Sequence, residues 1–251
     1  MNAAQGRQTV ESVCTEATHN MSGQRLGPKG LGTRERIVKA MLDLVESDDE
    51  TPITLSAVAR KASVRMSNLY LYFPDLGELL LAALRRAVDE QDLPYMRCLR
   101  DRWPDGELSR CCEIFVHAYF HFWQSHARLL QMRNNLADAR DMRLIDYRNR
   151  ISAPLITLLL AQMDALGEEG DNGSRDCATA LVTGLERMAT VVINPDFAAM
   201  TSLHDKSERT LFIGRLACAE AKIIEYTVSR LRQQREAVPT ITFSGRAGRP
   251  T

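Results

Sequence analysis

From Thr33 onward, apolar residues recur with a helical period. Ile37, Ala40, Met41, Leu44 and Val45 fall at i, i+3, i+4, i+7 and i+8, one stripe of a helix that begins after Thr33. The acidic run "ESDDETP" ends it. Thr54 is a good N-cap for a second, short helix whose inner side carries Leu55, Val58, Ala59 and Ala62. That helix stops in "ASV". A third begins near Arg65 and ends before Pro74, with Leu69 and Phe73 one turn apart and facing inward. Asp75 and Glu78 then form an Asp-x-x-Glu pair resembling a capping box, opening a long helix from Leu76 to about Leu93 that Pro94 closes or kinks.

The remaining pattern predicts five more helices: 108–125, 127–137, 142–165 with a kink at Pro154, 175–193 and 208–235. No run alternates like a strand for long. The expected fold class is therefore all-α, about nine helices. The expected division is a flexible tail over 1–32, a helix-turn-helix domain over 33–80, a helical body over 81–236 and a second tail over 237–251. Both tails carry cations, Arg7, Arg25 and Lys29 in the first, Arg246 and Arg249 in the second.

Composition alters this picture little. The 251 residues are 45% apolar and 25% charged with zero net charge, so any nucleic-acid surface must be local. The six cysteines (14, 98, 111, 112, 177, 218) are scattered with no C-x-x-C, as in a reduced, cytosolic protein. The start has no apolar leader. The longest strongly apolar uncharged stretch, Ile151 to Met163, is too short to span a bilayer. The expectation is a soluble, cytoplasmic chain with no membrane partner.

The candidate chemistry lies in "SVRMSNLYLYFPD", residues 63–75. Three short helices with a tight turn between the second and third fit a helix-turn-helix. With Val64, Leu69 and Phe73 inward, Arg65, Met66, Ser67, Asn68, Tyr70 and Leu71 are left mostly outward. Arg bonds guanine bidentately, Asn bonds adenine, Tyr hydroxyls reach phosphates, and a small Ser lets backbone approach a groove edge. From Thr54 to Phe73 the charges are Arg60, Lys61 and Arg65, with no acid. On spacing alone, an ordinary surface corner is an equal reading.

The stretch "TRERIVKAMLDLVESDDETPITLSAVARKASVRMSNLYLYFPDLGELL" resembles the N-terminal domain of tetracycline-repressor-type (TetR) regulators. The likeness rests on Thr54 before the second helix, "VARKA" within it, and "NLYLYFPD" for the family's Leu-Tyr-x-Tyr/His-Phe signature. It implies an all-helical homodimer that binds a short inverted repeat of double-stranded DNA, with a C-terminal effector pocket and dimer interface. It places Arg65, Met66, Ser67, Asn68, Tyr70, Leu71 and Tyr72 on the groove and phosphate contacts, and Ser56 where the second helix reaches a base or phosphate. Ser63 departs from the turn's usual Gly, Arg65 from a capping Ser, Leu76 from a Lys and Gly77 from an acid.

In the body, Ala178, Ala180, Gly184, Gly214, Ala217, Cys218 and Ala219 allow close helix approach, as a dimer bundle needs and as packing within one chain also does. Over residues 111–126, Ile114, Phe115, Ala118, Tyr119 and Phe122 form an apolar face. Glu113, His117, Phe120, His121 and Gln124 form a mixed one. The mixed face has three readings: plain structure, lining of a ligand pocket, or a metal pair at His117 and His121 (i, i+4). No metal or other cofactor is expected, since no H-E-x-x-H is present. "RNNLADARDMRLIDYRNR" reads as a solvated connection, with Arg133, Arg148 or Arg150 available to an acidic ligand. Phosphate-loop and nucleophile-elbow motifs are also absent, so no enzyme is expected. The alternative to a regulator is the same fold acting through a protein partner with weak, non-specific DNA binding.

Overall fold

The computed structural model describes residues 19, 23–47, 51–89, 93–167, 172–194, 197 and 205–237. The expected cationic positions Arg7, Arg246 and Arg249, and the end of the acidic run, lie outside them. Among the described residues the chain is helical with no strand; His19 and Arg25 form an isolated bridge. No described helix is long and apolar enough to cross a membrane.

The helices, in chain order, are α1 (Pro28–Val45), α2 (Leu55–Lys61), α3 (Met66–Leu69), α4 (Leu76–Leu84), α5 (Pro94–Arg97), α6 (Leu108–Ser125), α7 (Ala127–Asp138), α8 (Met142–Gln162), α9 (Asn172–Ile193) and α10 (Lys206–Glu236). Helix α1 starts at Pro28, not after Thr33 as the pattern predicts. Pro28 at its first position needs no N–H partner and has a helical φ already, so Gly30 and Gly32 are carried into the helix. The expected long helix from Leu76 is interrupted: α4 widens into a π-turn over Arg85–Asp89, and Pro94 opens a separate short α5. Pro154 lies inside α8.

Two compact units result. One comprises Met1–Asp92 with His126–Ile151, the other Leu93–Ser125 with Ser152–Thr251. The first therefore holds more than the expected 33–80, because α7 and the start of α8 pack with it. Its core is Ile37, Val38 and Met41 of α1, Val58 and Ala59 of α2, Leu69, Phe73, Leu79, Leu80, Leu81 and Leu84 of α4, and Leu129 and Leu130 of α7, all buried. The stretch expected as a solvated connection, 133–150, turns one side to this core, with Arg133, Asn134, Ala137, Leu144 and Tyr147 buried, and leaves Asn135, Asp138, Ala139 and Arg140 exposed. Arg133 and Asn134 are buried and bonded to each other, with Arg133 Nε donating to Asn134 Oδ1 at 3.0 Å.

The second unit is built on α6. Phe115, Tyr119, Phe122 and Trp123 pack with Tyr95 and Trp103; the Tyr95 and Tyr119 rings meet edge-on with centroids 5.0 Å apart. Such pairs add about 0.5–1.5 kcal/mol beyond area burial. Gln162, fully buried, ties the segment before α6 to α8: its Oε1 accepts from the Trp103 N–H (2.8 Å), and its Nε2 donates to the Leu99 and Asp101 carbonyls (both 3.0 Å). Buried Arg232 of α10 donates to the Gln162 and Trp103 carbonyls and to Asp105.

Candidate nucleic-acid interface

The turn between α2 and α3 is a Schellman motif. The Val64 N–H bonds the Ala59 carbonyl at 2.9 Å and the Ser63 N–H bonds Arg60 at 3.1 Å, the two bonds that close such an end. The motif needs a left-handed residue at its centre, and Ser63 has φ 53. The departure from Gly seen in the sequence is thus a real strain, about 1 kcal/mol or somewhat more for a non-glycine residue there. Two neighbours hold the turn: Thr54 Oγ1 accepts from the Ala57 N–H at the start of α2, and Arg36 Nε donates to the Ala62 carbonyl at its end (3.1 Å).

This turn aims α3. Leu69 and Phe73 are buried, with the Arg34 guanidinium 4.9 Å from the centre of the Phe73 ring. The opposite side is left outward. Arg65, Ser67, Tyr70 (48% exposed) and Leu71 (46%) are exposed; Met66, Asn68 and Tyr72 are half-buried at the flanks. Ser56 is exposed at the start of α2, its hydroxyl 3.0 Å from that of Thr54. Arg60 and Lys61 are exposed at the end of α2. The regular part of α3 is only four residues. Tyr72 N–H bonds Leu69 and Leu71 N–H bonds Asn68, so the ridge continues as tight turns to Phe73. Arg65, the N-cap of α3, makes no capping bond through its side chain. A basic, amide- and phenol-bearing ridge of this kind suits hydrogen bonding to base edges and phosphates.

Behind the ridge sits a cluster that the sequence did not announce. Asp75 caps α4, accepting from the Glu78 N–H at 2.9 Å. Arg143, 68 positions on, donates to Asp75 through Nη1 (3.0 Å) and Nη2 (3.1 Å), to Glu78 through Nη1 (3.2 Å) and to Asp141 through Nη2 (2.7 Å) and Nε (3.0 Å). The Glu78 carboxylate of the expected capping box thus faces Arg143. Partial burial pushes the Asp75 carboxyl up, but the bonds from Arg143 and the Glu78 N–H outweigh this and hold it below the usual carboxylate range. Asp141 is held low chiefly by its bond to Arg143.

Gly77 makes the approach feasible. A Cβ there would lie 2.7 Å from both Arg143 Nη2 and Asp141 Oδ2. The missing acid at this position is therefore a missing side chain that leaves room for an ion pair. At the other end of α7, Arg128 donates to the carbonyls of Leu44, Ser47 and Thr51, satisfying the end of α1 and the loop after it.

The expected pocket residues lie on one arc of α6, but burial divides them. Glu113, His117, His121 and Gln124 are exposed on α6, but Phe120 is 3% exposed and belongs to the core; conversely Ile114, expected inward, is 49% exposed. The reason is angular: α6 is covered on more than one side, so its buried arc takes in Val116 and Phe120 and leaves Ile114 out. Of the five, His117 lines a groove with α10. Among the described residues no group of three or more His, Cys, Asp or Glu is placed to hold a metal.

Solved structures to which the chain is similar include the fatty acid degradation regulator FadR from Bacillus halodurans, with 15% identity over 80% of this chain and 97% of that one and a TM-score of 0.48. The multidrug binding protein EbrR, complexed with imidazole, matches with 18% identity over 79% and 93% and a TM-score of 0.45. A tetR-family transcriptional regulator from Streptomyces coelicolor matches with 20% identity over 80% and 99% and a TM-score of 0.48. No protein-family model matches the chain, and no curated protein does.

Proposed function

We propose that this chain is a dimeric, effector-responsive transcriptional regulator of the TetR type, a repressor that reads a short inverted-repeat operator. The observation that carries the reading is the α3 ridge: Arg65, Ser67, Tyr70 and Leu71 exposed around half-buried Asn68, over a turn held in register by Ser63. Leu71 is a large apolar side chain left 46% exposed on a ridge that also exposes Arg65; a thymine methyl would satisfy the first and a guanine edge the second. Arg65 and Asn68 read bases, Tyr70, Tyr72 and Ser56 hold phosphates, and Met66 and Ser67 set how closely the helix enters.

A palindrome reader needs two-fold symmetry. Exposed Ile223 and Tyr226 on α10, with Ala180 and Gly184 exposed on α9, support a dimer face there. Effector binding in the body changes the separation of the two ridges, so that they no longer fit successive major grooves about 34 Å apart. A coupling of about 1–3 kcal/mol changes occupancy about 5- to 150-fold.

The test is a salt titration of binding to the DNA upstream of the chain's own gene, beside a scrambled duplex. The regulator binds the first selectively and weakens steeply as salt rises. Equal, weak binding to both duplexes overturns the reading in favour of a fold that works through a protein partner.

A further inference from the structure

The second unit carries a groove of about 790 Å³ along one flank of α10. Its walls are Ser207, Leu211, Gly214 and Cys218 with their neighbours on that helix, and His117 of α6 closes one side. It runs from Ser207 to Lys222, about 22 Å at the helical rise. Its floor is small and apolar. A Cβ at Gly214 would meet nothing within 4 Å, and Leu211 is 63% exposed.

The charge of the lining is one-sided. Among the described residues its ionisable groups are Arg215, Lys222 and the His117 imidazole, with no carboxylate. Glu113, one turn before His117 on α6, is not part of the lining. The contrast is a smaller cavity of about 310 Å³ in the first unit, where Glu78 and Asp146 stand beside Arg85, Arg143 and Arg150, so its charges select no one sign. The groove borders the flank proposed for the dimer. At 100° per residue, Ile223 is about 120° round α10 from Leu211, but Tyr226 is about 60° from Leu211 and about 20° from Arg215, so a second copy is the competing occupant.

We infer that this groove binds a free long-chain monocarboxylate, its chain along Leu211, Gly214 and Cys218 and its carboxylate at Lys222 and Arg215. An apolar trough with cations and no acid lowers the free energy of an amphiphile that is both apolar and anionic, and disfavours its cationic counterpart. The binding stands on the groove alone; its role as the effector event rests on the regulator reading above.

Dodecanoate and dodecyltrimethylammonium, each below its micelle concentration, are titrated calorimetrically into the full-length chain at fixed ionic strength, with sedimentation run in parallel. The expected result is that dodecanoate binds at least tenfold tighter than the cation. Lys222→Glu and, separately, Gly214→Leu, which fills the trough, each weaken dodecanoate at least tenfold without changing the sedimenting mass. Three results overturn the inference: equal affinity for the two ions, unchanged dodecanoate affinity in both variants, or a Gly214→Leu chain that loses its partner copy while still binding dodecanoate. The last would mean that a second copy covers the groove. If dodecanoate behaves as expected while the chain shows no sequence-selective DNA binding, the groove stands and the regulator reading falls; selective DNA binding with no dodecanoate binding gives the reverse.

Discussion

Ser63 holds the left-handed corner at φ 53 without the freedom of glycine. Ser63→Gly should relieve the clash of Cβ with its own backbone at the cost of a looser unfolded chain, and raise stability by roughly 1 kcal/mol. Urea midpoints of the two proteins check this; an unchanged or lower midpoint would show that the Ser side chain contributes something the backbone does not reveal. Gly77 is the opposite case. Placing Ala in the first turn of a helix ordinarily helps by up to about 1 kcal/mol, yet here a methyl would sit 2.7 Å from Arg143 Nη2 and Asp141 Oδ2. Gly77→Ala should therefore leave the midpoint close to the parent's, the displaced ion pair offsetting the helix gain; a midpoint raised by the full gain of about 1 kcal/mol would show that Arg143 and Asp141 swing aside at no cost. On the ridge, Asn68→Ala should cost about 1–3 kcal/mol on cognate DNA and relax base preference at one position, while a scrambled duplex is bound as before. Equal losses on both duplexes would make Asn68 a positioning contact. The ridge residues were legible in the sequence because each carries its own chemistry and the spacing between Leu69 and Phe73 fixes which side is in. The roles of Gly77 and Arg143 were not, because they depend on a contact 68 positions apart in the chain.

At the level of elements, Arg143 joins the first turns of α4 and α8 through Asp75, Glu78 and Asp141. The folded state keeps Asp75 and Asp141 more acidic than the unfolded chain does. Such groups stabilise the fold above their unfolded pKa, near 4, and that stabilisation fades as pH falls through the lower folded values. Arg143→Met should cost about 1–2 kcal/mol at pH 7, given a half-exposed site, and the variant should lose less than the parent between pH 5 and pH 3. Denaturant midpoints at the three pH values decide it. Glu220 runs the other way. Burial on α10 pushes its carboxyl up, so its ionised form weakens the fold at neutral pH and the penalty lifts on acidification. Glu220→Gln should therefore be the more stable protein at pH 7, with the gap closing near pH 4. Most helices could be placed from periodicity, as could the Thr54 and Asp75 caps. The early start of α1 had a readable sign in Pro28. The π-turn after α4 had none, since Arg85–Asp89 continues the same apolar and charged pattern.

For the whole molecule, the sequence signalled an all-helical chain but not where its units divide. The division follows side chains: Arg128 at the start of α7 and Arg143 just beyond its end both bond residues of the first unit, so α7 belongs with the ridge's own helices. The body was the harder part to read, because a helix such as α6, packed on several sides, presents no single stripe. The groove on α10 also contains a thiol. Cys218 is exposed on its floor, whereas burial and nearby carboxylates push the Cys112 thiol up to about 12, and burial raises Cys98 and Cys111. With Cys14 replaced by serine, a maleimide should alkylate Cys218 well ahead of Cys112 at neutral pH. A fluorescent label attached there would sit in the trough itself, turning occupancy into a change in emission.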